Sequence, residues 1–149
     1  MSSYISNLVH FVWSTKHREQ TIRTSWQDRL YGYLGGILAR KKCKLIAAGG
    51  LVDHVHVYAS LPATISLAET AAAMKANSSR WIRSNAPHCK EFAWQEGYAA
   101  FTVSKSNESR LIDYIHNQET RHQRLRFQDE FLALLKKHEI PYDERYLWV

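Results

Sequence analysis

Residues 44–60 read KLIAAGGLVDHVHVYAS, two apolar runs that meet near a pair of glycines. The runs, Lys44–Ala48 and Asp53–Ser60, are short and rich in aliphatic residues, which is typical of strands. Because only a few residues around Gly49 and Gly50 join them, the two strands are expected to pair as an antiparallel hairpin. This segment therefore predicts a fold that contains an antiparallel sheet.

Strand and helix patterns alternate along the rest of the chain. Asn7–Ser14, rich in Val, Phe and Trp, predicts a first strand, and Ala99–Ser104 predicts a last one. Two helices are predicted between them, one capped by Ser25 and one that starts from a capping box at Ser66 and runs to about Ile82. Both carry apolar residues at helical spacing.

Two more helices are predicted after the last strand. Asn107 is expected to cap a helix that carries Leu111 and Ile115, and an amphipathic helix beginning near Phe127 is expected to end at Ile140–Pro141. The resulting order is β-α-β-β-α-β followed by C-terminal helices. This is the ferredoxin-like pattern of an α+β fold, in which one antiparallel sheet carries helices on one face.

Composition narrows the class of protein. With 149 residues, of which 45% are hydrophobic and 23% charged, the chain is predicted to form one globular domain over residues 1–149. No apolar run is long enough to cross a bilayer and no signal-peptide pattern is present, so a cytoplasmic protein without a membrane partner is expected. Cys43 and Cys89 lack zinc-site spacing and are expected to be reduced structural thiols.

The net charge of +6 and the isoelectric point of about 9.4 favour an anionic partner. Basic residues cluster in Lys16–Arg18, in Arg40–Lys44, at Lys75, Arg80 and Arg83, and in Arg121–Arg126. Tryptophan and tyrosine side chains between these clusters offer flat surfaces on which unpaired bases can stack. Core packing explains any one of these rings as well, and a solvated helix face explains the cations.

Residues able to carry chemistry lie at two separated places. On the strand, His54 and His56 are two positions apart, so both imidazoles face one side of the sheet and can bind the same metal ion. On the downstream helix, Tyr114 and Gln118 are four positions apart and lie one turn from each other. Two imidazoles, an amide oxygen and a nearby phenol form a metal-assisted nucleophilic site, which suggests cleavage and rejoining of a phosphodiester chain.

Each half of this pattern also has a structural explanation. A pair of histidines on a strand is more often structural than metal-binding, and Asp53 either orients one imidazole or merely starts the strand. The apolar stripe of the downstream helix continues into Gln118 and His122, with Tyr114 at its edge. Such polar groups either have a buried partner or face water at the edge of the domain. His10 belongs to no recognisable group.

Five segments stand out when they are taken together. They are VHFVWSTK at 9–16, DHVHV at 53–57, Lys75 with SSRW at 78–81, WQEGY at 94–98 with FTVS at 101–104, and YIHNQ at 114–118. In this combination they resemble the HUH-type single-tyrosine transposases of small bacterial insertion sequences, which include relatives associated with repeated extragenic palindromes. The resemblance covers most of the chain.

The resemblance implies a transposase that cleaves and rejoins single-stranded DNA at hairpin-bearing element ends. Tyr114 would be the nucleophile, leaving a 5′-phosphotyrosine link and a free 3′-hydroxyl, and His54, His56 and Gln118 would bind a divalent metal, Mg²⁺ or Mn²⁺. The candidate DNA contacts are Lys75, Arg80, Arg83 and His122. A homodimer is also implied, in which the tyrosine helix of one subunit completes the histidine site of the other. The alternative is a monomer whose site is completed within one chain.

A non-enzymatic nucleic-acid-binding module is the alternative interpretation, because RNA-binding domains share the ferredoxin-like sheet. In that case His54 and His56 are contacts on the sheet surface and Tyr114 is a packing residue. A domesticated relative that binds palindromic DNA but moves nothing is a further alternative. Metal dependence together with a covalent link to tyrosine would distinguish the transposase from both.

Overall fold

The computed structural model describes residues 2–122 and 125–149. The strands are β1 (Leu8–Ser14), β2 (Lys44–Gly50), β3 (His54–Ser60) and β4 (Ala99–Thr102), and they form an antiparallel sheet in the order β2-β3-β1-β4. The helices are α1 (Thr24–Arg40), α2 (Leu67–Asn85), α3 (Glu108–His116), α4 (Gln118–His122), α5 (Phe127–Lys137) and α6 (Glu144–Leu147). The predicted β-α-β-β-α-β order and antiparallel sheet are confirmed. Gln123 and Arg124, within the predicted basic stretch Arg121–Arg126, lie outside the described residues.

Successive side chains of the central strands point to opposite faces of the sheet, and a layer of helices covers each face. Phe11 on β1 and Val55 and Val57 on β3 pack with the apolar faces of α1 and α2. The intervening residues of β3, among them His54 and His56, point to the opposite face, which α3, α4 and α5 cover. Because helices cover both faces, all seven residues of β1 are buried, and five of the seven are apolar.

The helix starts show what local sequence determines. Ser66 caps α2 as predicted, with its Oγ accepting a hydrogen bond from the backbone N–H of Glu69 at 3.0 Å. The predicted cap at Ser25 is wrong, because α1 already begins at Thr24 and Arg23 occupies the capping position without a side-chain hydrogen bond. None of the helices formed by the described residues is both long and apolar enough to span a membrane.

The helix predicted to carry both Tyr114 and Gln118 is interrupted. α3 ends at His116, and Asn117, with φ of −104° and ψ of 25°, separates it from α4. Helical hydrogen bonds nevertheless continue on both sides of Asn117, because its N–H donates to the Asp113 carbonyl oxygen and its own carbonyl oxygen accepts from the N–H of Arg121, each at 3.0 Å. Gln118 therefore still follows Tyr114 on the same side, as the predicted four-residue spacing requires.

Helix α3, which carries Tyr114, packs directly on β2. A Cβ atom at Gly49 would lie 2.3 Å from the carbonyl oxygen of Ile115, so the strand passes at a distance that only glycine allows. Ile115 itself packs against Ala47 and Tyr58 on this face of the sheet. This contact sets the height of α3 above the sheet, and with it the position of Tyr114.

Candidate active site and metal centre

The predicted site residues converge on the sheet face covered by α3, α4 and α5. His54 and His56 are fully buried and Gln118 is 2% exposed, so the alternative in which Gln118 faces water is wrong. The Nε2 atom of His54 lies 2.9 Å from Oε1 of Gln118, although 64 positions separate the two residues. The two halves of the pattern, His54 with His56 and Tyr114 with Gln118, thus meet within one chain.

Glu130 of α5, which the sequence analysis did not identify, lies at the centre of this group and is 1% exposed. Its Oε1 accepts a hydrogen bond from Nε2 of His56 at 3.0 Å. The same oxygen lies 3.2 Å from Nε2 of His122 and 3.5 Å from Nε2 of His54. One carboxylate oxygen therefore faces three imidazoles.

The other oxygen of Glu130 faces the nucleophile candidate. Oε2 accepts a hydrogen bond from the Tyr114 hydroxyl and a second one, at 3.1 Å, from Nε2 of Gln118. The guanidinium of Arg121 lies 4.7 Å from the centre of the Tyr114 ring, and its Nε is 3.7 Å from Oε2. The carboxylate thus bridges the histidine cluster and the phenol.

The sequence carries a signal for Glu130 but none for the contact that His10 makes. Glu130 follows Phe127 by three positions and precedes Phe131, so it lies on the apolar stripe of its helix, and the reasoning applied to Gln118 could have found it. His10 lies with its Nε2 2.8 Å from Nδ1 of His56. That contact depends on the pairing register of β1 and β3, which the sequence does not reveal.

Asp53 orients His54. Its Oδ1 lies 2.7 Å from Nδ1 of His54, so the imidazole donates from Nδ1 and its neutral form presents the lone pair of Nε2. That lone pair faces Oε1 of Gln118, also an acceptor, at 2.9 Å. Two acceptors this close require a proton or a cation that both can bind, so the pair suits a bound metal ion.

The set of donor atoms fits a divalent cation. Ligand atoms of His54, His122 and Glu130 lie within 4.8 Å of one another, so this cluster could hold a metal ion. Around an octahedral ion with bonds of about 2.1 Å, neighbouring ligand atoms are about 3 Å apart. The corresponding distances here, including that to Gln118, are 2.9 to 3.5 Å. Carboxylate and amide oxygens suit Mg²⁺ and Mn²⁺, and imidazole suits transition metals.

Burial and neighbouring charges set the protonation states. Burial lowers the pKa of His56, and burial together with the charge of His56 lowers that of His10. Although burial acts to raise the pKa of Glu130, hydrogen bonds from His122 and His56 hold it well below its usual range. Burial and the Glu130 charge raise the pKa of Tyr114. The Glu130 carboxylate is thus held ionised, which suits a bound cation, beside a protonated phenol.

Three of the predicted DNA contacts lie elsewhere. Lys75, Arg80 and Arg83 belong to α2, on the sheet face opposite Tyr114. The Nζ of Lys75 donates to two backbone carbonyls at 2.7 and 2.8 Å, and burial lowers its pKa to about 8. Arg83 donates to the carbonyl of Phe92 at 3.2 Å. Their contact with DNA stays a prediction, whereas the fourth candidate, His122, joins the histidine cluster.

Comparisons with known proteins give consistent results. The profile of a family described as "Transposase IS200 like" matches residues 3–118. A protein of Deinococcus radiodurans assigned as a transposase is 27% identical, with a TM-score of 0.65 over 79% of this chain and 95% of that chain. A REP-associated tyrosine transposase, solved bound to a REP hairpin, shares the fold with a TM-score of 0.62 at 17% identity, over 82% of this chain and 74% of that chain. No curated protein matches the sequence.

Proposed function

Because this chain belongs to the IS200-like family of transposases, which are DNA strand-transfer enzymes, we propose that it is a single-tyrosine transposase of the HUH type. Its substrate is single-stranded DNA with hairpins at the ends of the mobile element. The observation that carries the proposal is the position of Tyr114, whose hydroxyl shares the Glu130 carboxylate with His56. A phenol and a metal-binding cluster within one buried hydrogen-bonded group suit nucleophilic attack on a phosphodiester.

Tyr114 needs a proton acceptor, because the ordinary pKa of its phenol is about 10 and the neutral hydroxyl is a poor nucleophile. Oε2 of Glu130 already accepts its hydrogen bond and takes the proton as the phenol oxygen attacks phosphorus. The bond from phosphorus to the 3′ oxygen breaks, and this oxygen takes a proton from solvent. A 5′-phosphotyrosine link and a free 3′-hydroxyl result, and the reverse reaction rejoins a strand without ATP.

His54, His56 and Gln118, the ligands predicted from the sequence, would bind the divalent metal, Mg²⁺ or Mn²⁺. Glu130 and His122, which together with His54 form the cluster that could hold an ion, would lie beside it. When bound, the ion polarises the scissile phosphate and offsets the charge that develops in the transition state. The protein keeps these side chains in place by burying them between the sheet and three helices. Such burial also limits the access of water, which would otherwise compete with the 3′-hydroxyl for the phosphotyrosine.

A covalent-adduct assay tests the proposal. Labelled single-stranded DNA that carries the element-end hairpin is incubated with the protein, with and without Mg²⁺ or Mn²⁺, and resolved on a denaturing protein gel. A metal-dependent covalent band is expected, and both Tyr114→Phe and His56→Ala should abolish it. Tyr146→Phe is the matched control, since this tyrosine is 69% exposed and should leave the band unchanged.

Two outcomes would contradict the proposal. Tight binding without any covalent band, on DNA that includes the true element ends, would favour the non-enzymatic module. A band that persists in Tyr114→Phe would assign the nucleophile to another residue.

A further inference from the structure

A cleft of about 490 Å³ opens beside Tyr114, and its function is not explained by the chemistry of the metal centre. It lies between α3, the end of β4 and the C-terminal end of α5. Tyr114 and His10 line its inner part, while Arg110 of α3 and Lys137 of α5 line its walls. The cleft therefore connects the surface to the proposed nucleophile.

The charge of this cleft favours an anionic occupant. Arg110 and Lys137 are both exposed, and neither forms an ion pair with any residue in the described ranges 2–122 and 125–149. The described lining residues include no Asp or Glu, while Ser104 and Asn107 contribute hydrogen-bonding groups. The exposed imidazole of His138 is stacked on the buried ring of Phe101, at a centroid distance of 4.3 Å, and both residues line the cleft. Cations beside an aromatic surface are typical of grooves that bind single strands.

A second, shallower cleft also reaches Tyr114. It is lined by Asn117 and Thr120, together with Arg121 and Leu125. The described linings of the two clefts share Tyr114 and no other residue, so Tyr114 lies between them. Internal cleavage requires this arrangement, because a strand cut away from its end extends in both directions from the scissile phosphate.

We propose that the two clefts form one path for the single-stranded DNA that flanks the cleaved bond, with Arg110 and Lys137 pairing with its phosphates on one side. The inference rests on the proposed function, because Tyr114 defines the point at which the two clefts join. It places the bound strand on the face covered by α3 and α5. The cations of α2, which were candidate contacts in the sequence, lie on the opposite face.

The test measures DNA binding without chemistry. Tyr114→Phe protein in EDTA is titrated by fluorescence anisotropy with a labelled single-stranded oligonucleotide that spans the cleavage site, at several salt concentrations. Adding Arg110→Ala and Lys137→Ala should weaken binding by about tenfold or more at low salt. The slope of log affinity against log salt should fall in magnitude by about 1.4, or about 0.7 for each phosphate that a cation no longer neutralises.

Lys136→Ala is the matched control, because this neighbouring lysine is exposed and does not line the cleft. It should change the affinity by less than about twofold, whereas Lys137→Glu should weaken binding more than Lys137→Ala does. Unchanged affinity in a folded Arg110→Ala/Lys137→Ala protein would overturn the proposed path. An equal loss in Lys136→Ala would also overturn it, since net charge alone would then explain the effect.

The outcome separates this inference from the proposed function. If binding depends on Arg110 and Lys137 but the wild-type protein forms no covalent adduct, the path is supported and the transposase chemistry is contradicted. A metal-dependent adduct whose DNA binds equally well without both cations would support the chemistry and overturn the path.

Discussion

At the scale of single residues, the candidate metal centre depends on a side chain that binds no ion itself. Asp53 accepts the hydrogen bond of Nδ1 of His54 at 2.7 Å and so determines which nitrogen faces the centre. His56 is held differently, between His10 on one side and Glu130 on the other. The two histidines of the motif therefore have separate supports, and the support of each can be removed on its own.

Asp53→Asn is expected to weaken Mn²⁺ binding by about 10-fold to 100-fold, because the amide keeps the size of the carboxylate but loses its charge. Isothermal titration calorimetry measures the affinity. Asp28→Asn, on the exposed side of α1, is the matched control and should bind Mn²⁺ as the wild type does. Equal affinity in Asp53→Asn would mean that this residue only starts the strand.

The site residues that could be predicted are those related to one another by short spacing along the chain. His54 and His56 need only the alternation of a strand, and Tyr114 and Gln118 only the spacing of a helix turn. Glu130 meets His56 across 74 positions, so its role depends on how distant elements pack. A polar residue on a buried stripe indicates that a partner exists, but the sequence does not identify that partner.

At the scale of elements, the contact between β2 and α3 positions Tyr114, the proposed nucleophile. Gly49→Ala should destabilise the protein by about 1–3 kcal/mol, because the added methyl group would overlap the Ile115 carbonyl and force α3 outward. Since Tyr114 lies on α3, the yield of the covalent adduct should fall as well. Urea unfolding and the adduct assay measure the two effects.

Gly36→Ala is the matched control for this change. It lies at an exposed position of α1, where a Cβ atom would meet nothing within 4 Å, so the substitution should stabilise the helix by about 0.5–1 kcal/mol. Full stability and full adduct yield in Gly49→Ala would show that α3 can shift without loss of the site.

The ends of helices and strands were predictable where a few neighbouring residues determine them. The capping box at Ser66 needs only four residues, whereas α1 starts one residue before the predicted cap at Ser25, next to the buried Trp26. The break at Asn117 leaves the four-residue spacing intact, so periodicity does not detect it. α6, with four residues, is too short to have a recognisable period.

At the scale of the whole molecule, the proposed nucleophile and histidines lie in the same chain, and the predicted homodimer stays a prediction. If each chain completes its own site, mixing Tyr114→Phe with His56→Ala should restore no covalent adduct, because every site lacks either its nucleophile or a ligand. In a dimer that exchanges its tyrosine helices, about a quarter to a half of the sites would regain both groups. The adduct gel measures the recovery, with each variant alone as the control.

Recovered adduct would contradict a self-contained site and support the shared arrangement. The wild type mixed with either variant controls for inactive protein, since its adduct should fall only in proportion to its share of the mixture.

Because Glu130 lies late in the sequence, the sheet can form before the candidate metal centre is complete while the chain is being synthesised. All four strands precede Glu130 in the sequence, and the residues matched by the family profile end at 118. A growing chain can therefore pair its sheet while His54 and His56 still face solvent, and the centre closes only when α5 arrives. Since contacts between distant residues form slowly, burial of the histidines is expected to be a late step of folding. The centre is therefore expected to become competent only after α5 has been synthesised.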